Sequence, residues 1–191
     1  MEAVTKVEYS ALMIFSPLPG TPLITQGFGQ NPDLYQPLGL SGHDGIDFGV
    51  PEGTIVYAPH DGTATVKDNG SKDYGLHAII DGPTRRSILA HLSATQLKTG
   101  DVVVQGNPIG KSGKSGMATA AHLHWTFKLM KNGAVQNKDN GFNGGVDVTE
   151  FTRLWQDKNL HADAAYTDDA KPYLAMTFTD AQYLKNPMLH A

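Results

Sequence analysis

Residues 122–130 read His-Leu-His-Trp-Thr-Phe-Lys-Leu-Met, an apolar, strand-like run that begins with two histidines two positions apart. Side chains at positions i and i+2 of a β-strand point to the same face, so both imidazoles project together while Leu123 faces the opposite side. Two histidines on one face of a strand more often mark a functional site than a pair of solvated side chains. The run therefore predicts a strand over Leu123–Met130 that presents His122 and His124 together.

Short strand-like runs recur at close spacing between Gly42 and about Met130. Gly, Pro, Asp or Asn separates almost every pair of runs, and the whole chain contains 21 Gly and 11 Pro. Short strands with frequent turn residues are typical of antiparallel sheets and barrel-like sandwiches. The sequence thus predicts a mainly β protein with an antiparallel sheet core. Its strands are expected at Thr54–Ala58, Gly62–Lys67, His77–Asp81, Ser87–His91, Val102–Val104 and Leu123–Met130.

The segment before this region has a different pattern. Residues 1–22 hold one alternating stretch that ends at Ser16–Gly20 (Ser-Pro-Leu-Pro-Gly), which predicts an N-terminal extension with a strand running into a turn. Residues 23–42 are rich in turn residues and are expected to form an ordered loop. This loop would open a single domain over residues 23–147.

The segment after the domain is predicted to be helical at its start. Residues 148–156 carry apolar side chains at roughly helical spacing, with Asp147 or Thr149 as the N-cap. The remaining residues mix charges, aromatic side chains and turn residues without a clear period. We therefore expect residues 148–191 to form a short C-terminal helix and a tail that packs on the domain.

Composition limits the chemistry that this 191-residue chain can perform. It contains no Cys, so disulfides, thiolate nucleophiles and cysteine-based zinc sites are excluded, and any metal must be bound by His, Asp or Glu. The formal net charge of -4 provides no general attraction to nucleic acids or anionic lipids. No segment approaches the roughly 18 apolar residues that span a membrane. We expect no nucleic-acid partner, no membrane insertion and a monomeric chain.

Two further histidines stand in motifs of their own. Gly42–Gly49 (Gly-His-Asp-Gly-Ile-Asp-Phe-Gly) places His43 and Asp47 four positions apart around Gly45, which lets the backbone turn tightly so that the two side chains converge. His91 follows a short apolar run. Catalytic zinc sites use three nitrogen or oxygen ligands and keep a fourth position for water. Two histidines and one carboxylate meet that requirement and leave two histidines to move protons and stabilise an oxyanion.

Together these motifs resemble those of the lysostaphin/LytM family of zinc endopeptidases. The matching motifs are His43-x-x-x-Asp47, Ala90–Ser93 (Ala-His-Leu-Ser) and His122-Leu-His124. The resemblance covers about residues 24–130, and the intervening segments agree in order. These segments are Gly53–Pro59, Asp61-Gly62, Tyr74-Gly75, Gly100–Gly106 and Ile109–Gly113.

The resemblance implies a role for each residue of these motifs. It makes His43, Asp47 and His124 the zinc ligands. It makes His91 and His122 catalytic residues that flank the water and the substrate carbonyl without binding the metal, and it leaves open which of them is the general base. The implied fold is an antiparallel β core of the duplicated-hybrid-motif, barrel-sandwich type. The implied activity is zinc-dependent hydrolysis of peptide bonds in bacterial peptidoglycan, at a Gly-Gly bridge or at a D-Ala link to a diamino acid.

Some residues depart from the family pattern. Thr126 follows the His-x-His-aromatic motif where the family often has Glu, and Leu76-His77 follows Tyr74-Gly75 where many relatives have Asn. These differences predict altered contacts around the metal ligands and in the groove. We expect His77 itself to be structural. Three further histidines fit no motif and are expected on the surface: His60, His161 and His190.

Other functions are compatible with parts of the pattern. The Gly53–Gly62 and Gly100–Gly106 segments are similar to biotinyl and lipoyl carrier domains, but the nearest candidate for a carrier lysine, Lys131, follows the expected sheet. The main alternative is a catalytically inactive family member that regulates or scaffolds cell-wall hydrolysis, although all three implied ligands are present. Gly110–Gly116 superficially resembles a phosphate loop but lacks its spacing and its following helix, so we expect a flexible loop bordering the groove.

The N-terminus bears on where such an enzyme would act. Its longest apolar run, Ala11–Phe15, is too short for a secretion signal and is preceded by Glu2 and Glu8. A wall hydrolase with no evident signal is expected to reach the cell wall at phage lysis, as an endolysin, or in a virion. Secretion by means of a signal that has been removed is the other expectation.

Overall fold

The computed structural model describes residues 14–149, which form a mainly β structure with two short helical segments. The predicted fold class, a mainly β protein with antiparallel sheets, is confirmed. No helix within this part of the chain is long or apolar enough to cross a membrane. In chain order the elements are β1 (Leu23–Gln26), α1 (Pro32–Tyr35), a 3-10 helix (Gln36–Leu38), β2 (Ile46–Gly49), β3 (Ile55–Tyr57), β4 (Gly62–Asp68), β5 (Leu76–Asp81), β6 (Arg85–Ala90), β7 (Leu92–Thr95), β8 (Val102–Val103), β9 (Pro108–Ser112), β10 (Leu123–Lys131), β11 (Ala134–Val135) and β12 (Gly145–Val146).

Strand β10, with nine residues, organises the larger of two sheets. That sheet has nine strands in the order β1-β2-β10-β6-β5-β4-β8, with β11 and β12 also paired to β10, and the smaller sheet has the order β3-β9-β7. Between β2 and β6, strand β10 places His124 directly opposite Asp47 on one side and Ala90 on the other. This antiparallel register sets the position of the functional site.

Alternating side chains of β10 separate the hydrophobic core from a polar face. Leu123, Trp125 and Phe127 are 0%, 0% and 1% exposed and belong to the core. An aromatic side chain of this kind buries about 150–250 Å², which contributes at most roughly 4–6 kcal/mol to folding. His124 and Thr126 alternate with these residues and therefore project from the opposite face. The same strand thus anchors the core and carries the site.

Three side chains, those of Trp125, Ser87 and His60, form a chain of hydrogen bonds inside the core. Trp125 Nε1 donates to the hydroxyl of Ser87 at 3.1 Å, and that hydroxyl lies 3.0 Å from Nε2 of His60. His60 Nδ1 donates to the carbonyl of Asp61 at 2.9 Å, which leaves Nε2 as the acceptor. The expected surface position of His60 is wrong, because its ring is fully buried against these partners. His161 and His190 lie outside the described residues.

Each of the six predicted strands corresponds to an observed strand, with ends that agree within two residues. Residues 23–42, predicted to be a loop, instead contain β1, α1 and the 3-10 helix. The sequence pattern also does not reveal β2, β7 and β9. Pro108 and Gly110 within β9 are turn residues by propensity, but pairing with two neighbouring strands overrides that preference.

The described residues include parts of both predicted flanking segments. Ile14 and Leu18 are buried in the core, and the N–H of Tyr57 donates to the carbonyl of Pro17 at 2.8 Å. At the other end, a carboxylate oxygen of Asp147 accepts a hydrogen bond from the N–H of Thr149 at 2.9 Å, as an N-cap side chain does. The predicted strand before residue 14 and the predicted helix and tail from residue 150 onward lie outside the described residues.

Candidate functional site

Three side chains, from β10, from β2 and from the segment before β2, converge on one point. Asp47 lies on β2 and His124 lies opposite it on β10, while His43 lies in the segment that leads into β2. Nε2 of His43, Oδ1 of Asp47 and Nδ1 of His124 lie 2.9–3.1 Å from one another. The three residues are 1%, 8% and 4% exposed. Within residues 14–149 they form a His/Asp/His group whose ligand atoms could hold one metal ion.

The outer nitrogens of both imidazoles are occupied by protein acceptors. His43 Nδ1 lies 3.1 Å from the carbonyl of Gly27, and His124 Nε2 lies 2.8 Å from the hydroxyl of Thr126. A neutral imidazole that donates from one nitrogen presents a lone pair at the other. With those outer nitrogens protonated, the inner nitrogens of His43 and His124 would offer lone pairs to a metal ion, whereas a ring protonated at both nitrogens donates instead to Asp47.

Asp47 supplies the negative charge of this cluster. Burial alone would raise the pKa of its carboxyl group, but hydrogen bonds and charge interactions with His124 and His43 outweigh burial and lower the pKa below its ordinary value. The carboxylate is therefore ionised at neutral pH. Two lone pairs and one anion converge, which is an arrangement that a cation would stabilise.

Gly45 allows the segment before β2 to approach β10 closely. A Cβ atom at this position would lie 2.5 Å from the carbonyl oxygen of Trp125 and 2.9 Å from Cε1 of His124. The residue is not among those with positive φ, so the tight turn expected from the sequence is not the reason for glycine here. The glycine instead supplies the space that lets His43 and Asp47 reach His124.

His91 is held at the point where the chain passes from the larger to the smaller sheet. It lies between β6 and β7 with a φ of 59°, a left-handed conformation that costs a residue other than glycine on the order of 1–3 kcal/mol. Its backbone N–H donates to the carbonyl of Tyr74 at 3.0 Å, and its ring Nδ1 lies 2.8 Å from the carbonyl of Ser115. Burial, followed by the neighbouring His124, lowers the pKa of His91 to about 4. The ring is therefore neutral at pH 7, with its lone pair on Nε2.

His122 lies beside the cluster, on the side where His91 is found. Its Nδ1 lies 2.9 Å from the carbonyl of Ala120, and its Nε2 lies 3.6 Å from Oδ2 of Asp47. The ring centroids of His91 and His122 are 4.7 Å apart, and that of His91 is 5.8 Å from that of His124. The structure thus brings all five residues singled out in the sequence into one site.

Two loops are hydrogen-bonded to each other around His91. The N–H of Leu76 donates to the Ser115 hydroxyl, and the N–H of Met117 donates to the carbonyl of Asp73. Gly75 and Gly116 both have positive φ, and a Cβ on either would clash with the backbone of the other loop. Gly116, the last residue of the Gly110–Gly116 segment for which a flexible loop was expected, therefore permits close packing against the loop that contains Gly75.

Two further residues of the site, Asp44 and Tyr74, lie within motifs recognised in the sequence but were assigned no role there. Asp44, which is 4% exposed, places Oδ1 3.5 Å from Nε2 of His124. Its other oxygen accepts a hydrogen bond from the Tyr74 hydroxyl at 2.5 Å. Burial and, next, the Asp44 carboxylate raise the pKa of Tyr74 well above its ordinary value, so the phenol keeps its proton. The position of Thr126, by contrast, could have been predicted from the sequence, because residues two apart in a strand share a face and Thr126 follows His124 by two.

Comparison with known sequences identifies the family of this chain. Residues 41–138, just over half of the chain, match the sequence profile of peptidase family M23. The chain belongs to peptidase family M23. This match confirms the predicted resemblance, and the matched range contains every residue of the His/Asp/His group and both neighbouring histidines.

Several curated proteins similar to this M23 chain are named as endopeptidases. Glycyl-glycine endopeptidase ALE-1 of Staphylococcus capitis is 36% identical over 118 residues, which cover 59% of this chain and 31% of that protein. Peptidoglycan DD-endopeptidase ShyA of Vibrio cholerae is 37% identical over 83 residues, which cover 44% of this chain and 19% of that protein. The M23 chain therefore spans less than a third of the length of these relatives.

Solved structures support the same assignment at the level of the fold. The catalytic domain of lysostaphin from Staphylococcus simulans aligns with a TM-score of 0.56 and 26% identity, covering 69% of this chain and 92% of that domain. A zinc-containing peptidase from Vibrio cholerae aligns with a TM-score of 0.54 and 27% identity, covering 70% of this chain and 39% of that one. The M23 chain shares its β architecture with both.

Proposed function

We propose that this M23 chain is a zinc-dependent endopeptidase that hydrolyses peptide bonds in the cross-links of bacterial peptidoglycan. The observation that carries the proposal is the buried convergence of His43 Nε2, Asp47 Oδ1 and His124 Nδ1 in a member of a peptidase family. The names of the relatives, which specify glycyl-glycine and peptidoglycan endopeptidases, support peptidoglycan as the substrate.

The donor set fits zinc. Neighbouring ligand atoms of a tetrahedral zinc site with bonds of about 2.0–2.1 Å lie roughly 3.3–3.4 Å apart. The three atoms in this chain lie 2.9–3.1 Å apart, so shifts of a few tenths of an ångström would accommodate the ion. Two neutral imidazoles and one carboxylate form a ligand set that catalytic zinc sites use.

His91 and His122 are proposed as the residues that handle protons. In each ring Nδ1 is engaged by a main-chain carbonyl, so Nε2 carries the exchangeable lone pair. The ring of His122 lies beside Asp47, and that of His91 lies beside His122, so both border the position that a scissile bond would occupy. One of them accepts a proton from the attacking water at Nε2 and, once protonated, can deliver it to the leaving amine; the other would have to carry a proton on Nε2 to stabilise the developing oxyanion.

The metal would provide the electrophilic part of the chemistry. Bound zinc acts as a Lewis acid that polarises a carbonyl group and lowers the pKa of water toward neutrality. The protein orients the two histidine ligands by contacts of His43 with Gly27 and of His124 with Thr126. It orients the two proton-transfer residues by contacts of His91 with Ser115 and of His122 with Ala120. These anchors hold the site in shape before substrate arrives.

The proposal is tested by digesting purified cell walls with the full chain. Walls with glycine bridges and walls with direct D-Ala to diamino-acid links are incubated in parallel, and the released fragments are identified by mass spectrometry. We expect cleavage of one bond type, its loss after removal of metal with a chelator, and its return on addition of zinc. Stoichiometric zinc without cleavage of either wall would instead indicate an inactive family member, and absence of zinc binding would contradict the site assignment.

A further inference from the structure

Nε2 of His124 points away from the three converging ligand atoms and meets a chain of hydroxyl groups. It lies 2.8 Å from Oγ1 of Thr126, which in turn lies 3.5 Å from the hydroxyl of Tyr74. That hydroxyl donates to Oδ2 of Asp44 at 2.5 Å. The same carboxylate also reaches the ring directly, because its Oδ1 lies 3.5 Å from His124 Nε2.

An ionised Asp44 at the end of this chain would orient the hydrogen bonds along it in one direction. An ionised carboxylate only accepts, so the Tyr74 hydroxyl must donate to Asp44. The oxygen of Tyr74 is then available to accept from Thr126, and the oxygen of Thr126 accepts from His124. The proton of a neutral His124 therefore resides on Nε2, and Nδ1, the atom that faces His43 and Asp47, keeps its lone pair.

Asp44 is a buried carboxylate beside the His124 ring. It is 4% exposed, and Thr126 is fully buried beside it. Burying a charge is costly unless the charge is paired and hydrogen-bonded. Its surroundings supply the Tyr74 hydroxyl, the N–H of His124 and the attraction of Lys128, a buried ammonium group on the same face of β10. Asp44 and the Tyr74 hydroxyl lie on the Nε2 side of the His124 ring, remote from the cluster.

We propose that Asp44, acting directly and through Tyr74 and Thr126, is a positioning residue that fixes the tautomer and orientation of His124 for metal binding. This inference rests on the proposed function, because it assumes that His124 is a ligand. A carboxylate behind a ligating imidazole raises the basicity of the ring, and loss of such a partner typically weakens metal binding by about 10–100-fold.

The experiment compares zinc affinity among variants of the full chain by competition with a chromophoric chelator at fixed pH. Asp44→Asn removes the charge at constant shape, Thr126→Val removes the hydroxyl at constant shape, and Thr126→Ser restores it. Asp139→Asn, on an exposed loop, is the control for an equal change of charge. We expect the zinc dissociation constant to rise at least 10-fold in the first two variants and to stay within about threefold of the parent value in the last two.

A second measurement separates positioning from folding. Nitrogen-15 NMR of the zinc-free protein reports which nitrogen of His124 carries the proton, and we expect the Nε2-protonated form in the parent and a mixture of forms in Asp44→Asn and Thr126→Val. A purely structural role would lower the unfolding temperature of the zinc-free variants while leaving the zinc dissociation constant and the tautomer unchanged, and this result would overturn the inference. If Asp44→Asn does not fold, Thr126→Val and Tyr74→Phe decide by the same criteria.

The outcome also distinguishes this inference from the proposed function. If the parent chain binds zinc tightly and all variants bind it equally well, only the role of Asp44 is overturned. If the parent chain binds no zinc, the metal site itself is wrong and both proposals fail. Weakened binding in Asp44→Asn and Thr126→Val with unchanged binding in Asp139→Asn supports both.

Discussion

Asp47 and His124 face each other across the β2–β10 pair, with Oδ1 of the carboxylate 2.9 Å from Nδ1 of the imidazole. The antiparallel register of β2 and β10 alone brings the two side chains together. We predict that Asp47→Ala and His124→Ala each abolish stoichiometric zinc binding and cleavage of cell walls. The zinc content of desalted protein, measured by atomic emission, checks this, with Asp139→Asn as a control that should load zinc normally. A fully active Asp47→Ala enzyme would rule out the assignment.

Substitution of His91 or His122 is predicted to slow catalysis without removing the metal. Neither ring belongs to the His43/Asp47/His124 cluster, so His91→Ala and His122→Ala should retain zinc. Loss of one positioned proton-transfer group typically costs about 10²–10⁴-fold in rate, and we expect a fall in kcat of that order for each variant. The measurements are zinc content and the initial rate of cell-wall cleavage. Loss of zinc from His122→Ala with retention in His124→Ala would mean that the roles of these two histidines are exchanged.

Four of the five site residues could be recognised in the sequence because their spacing is local or repetitive. His122 and His124 share a face through the two-residue period of a strand, and the four-residue spacing of His43 and Asp47 keeps them in one short segment. The structure brings these segments together through the β2–β10 register, which the motifs did not specify. Assigning ligand and proton-transfer roles within the cluster still depends on family resemblance.

Asp44 and His60 show why the rest of the site and core could not be predicted. The position of Asp44 behind His124 depends on the packing of the Tyr74 loop against β2 and β10, and Tyr74 is 30 residues away in the chain. His60 lies between Pro59 and Asp61 in a segment that has the composition of an exposed turn. Its burial is explained by Ser87, which comes from β6 and which only the folded sheet brings within hydrogen-bonding distance.

Because Gly45 lies so close to β10, adding a single methyl group there is predicted to reduce both stability and zinc binding. Gly45→Ala would place a carbon atom 2.5 Å from the backbone oxygen of Trp125, which cannot move without disturbing the central strand. We expect a loss of about 2–4 kcal/mol in the free energy of unfolding together with weaker zinc binding, because His43 and Asp47 are displaced from His124. Urea denaturation and chelator competition are the measurements.

Gly53→Ala provides the comparison for this prediction. Gly53 has a φ of 89°, and no atom lies within 4 Å of the position of its missing Cβ, so alanine there introduces backbone strain without a clash. We expect a loss of about 1–2 kcal/mol and unchanged zinc affinity. Equal effects of the two substitutions on zinc binding would show that space at Gly45 is not what positions the ligands.

The buried His60 predicts that stability decreases in mild acid. Burial is the largest cause that lowers its pKa to about 4, from an ordinary value of 6.5, because the ring is packed in the core as a neutral acceptor for Ser87. The unfolded chain therefore binds a proton that the folded chain does not, as pH falls below 6.5. The stability present above pH 6.5 is lost progressively down to about pH 4, and the total loss from this residue is roughly 3 kcal/mol.

This prediction is checked by urea denaturation of the zinc-free protein between pH 7.5 and pH 4.5. His91 and His77 also have lowered pKa values, so they too reduce the stability of the folded protein as pH falls. The diagnostic quantity is therefore the difference in pH dependence of the free energy of unfolding between the parent and His60→Gln. The variant is expected to be less stable at pH 7.5, since its fit to Ser87 is poorer, but its stability should fall less steeply as pH decreases. Parallel pH profiles for the two proteins would show that His60 does not carry the acid sensitivity.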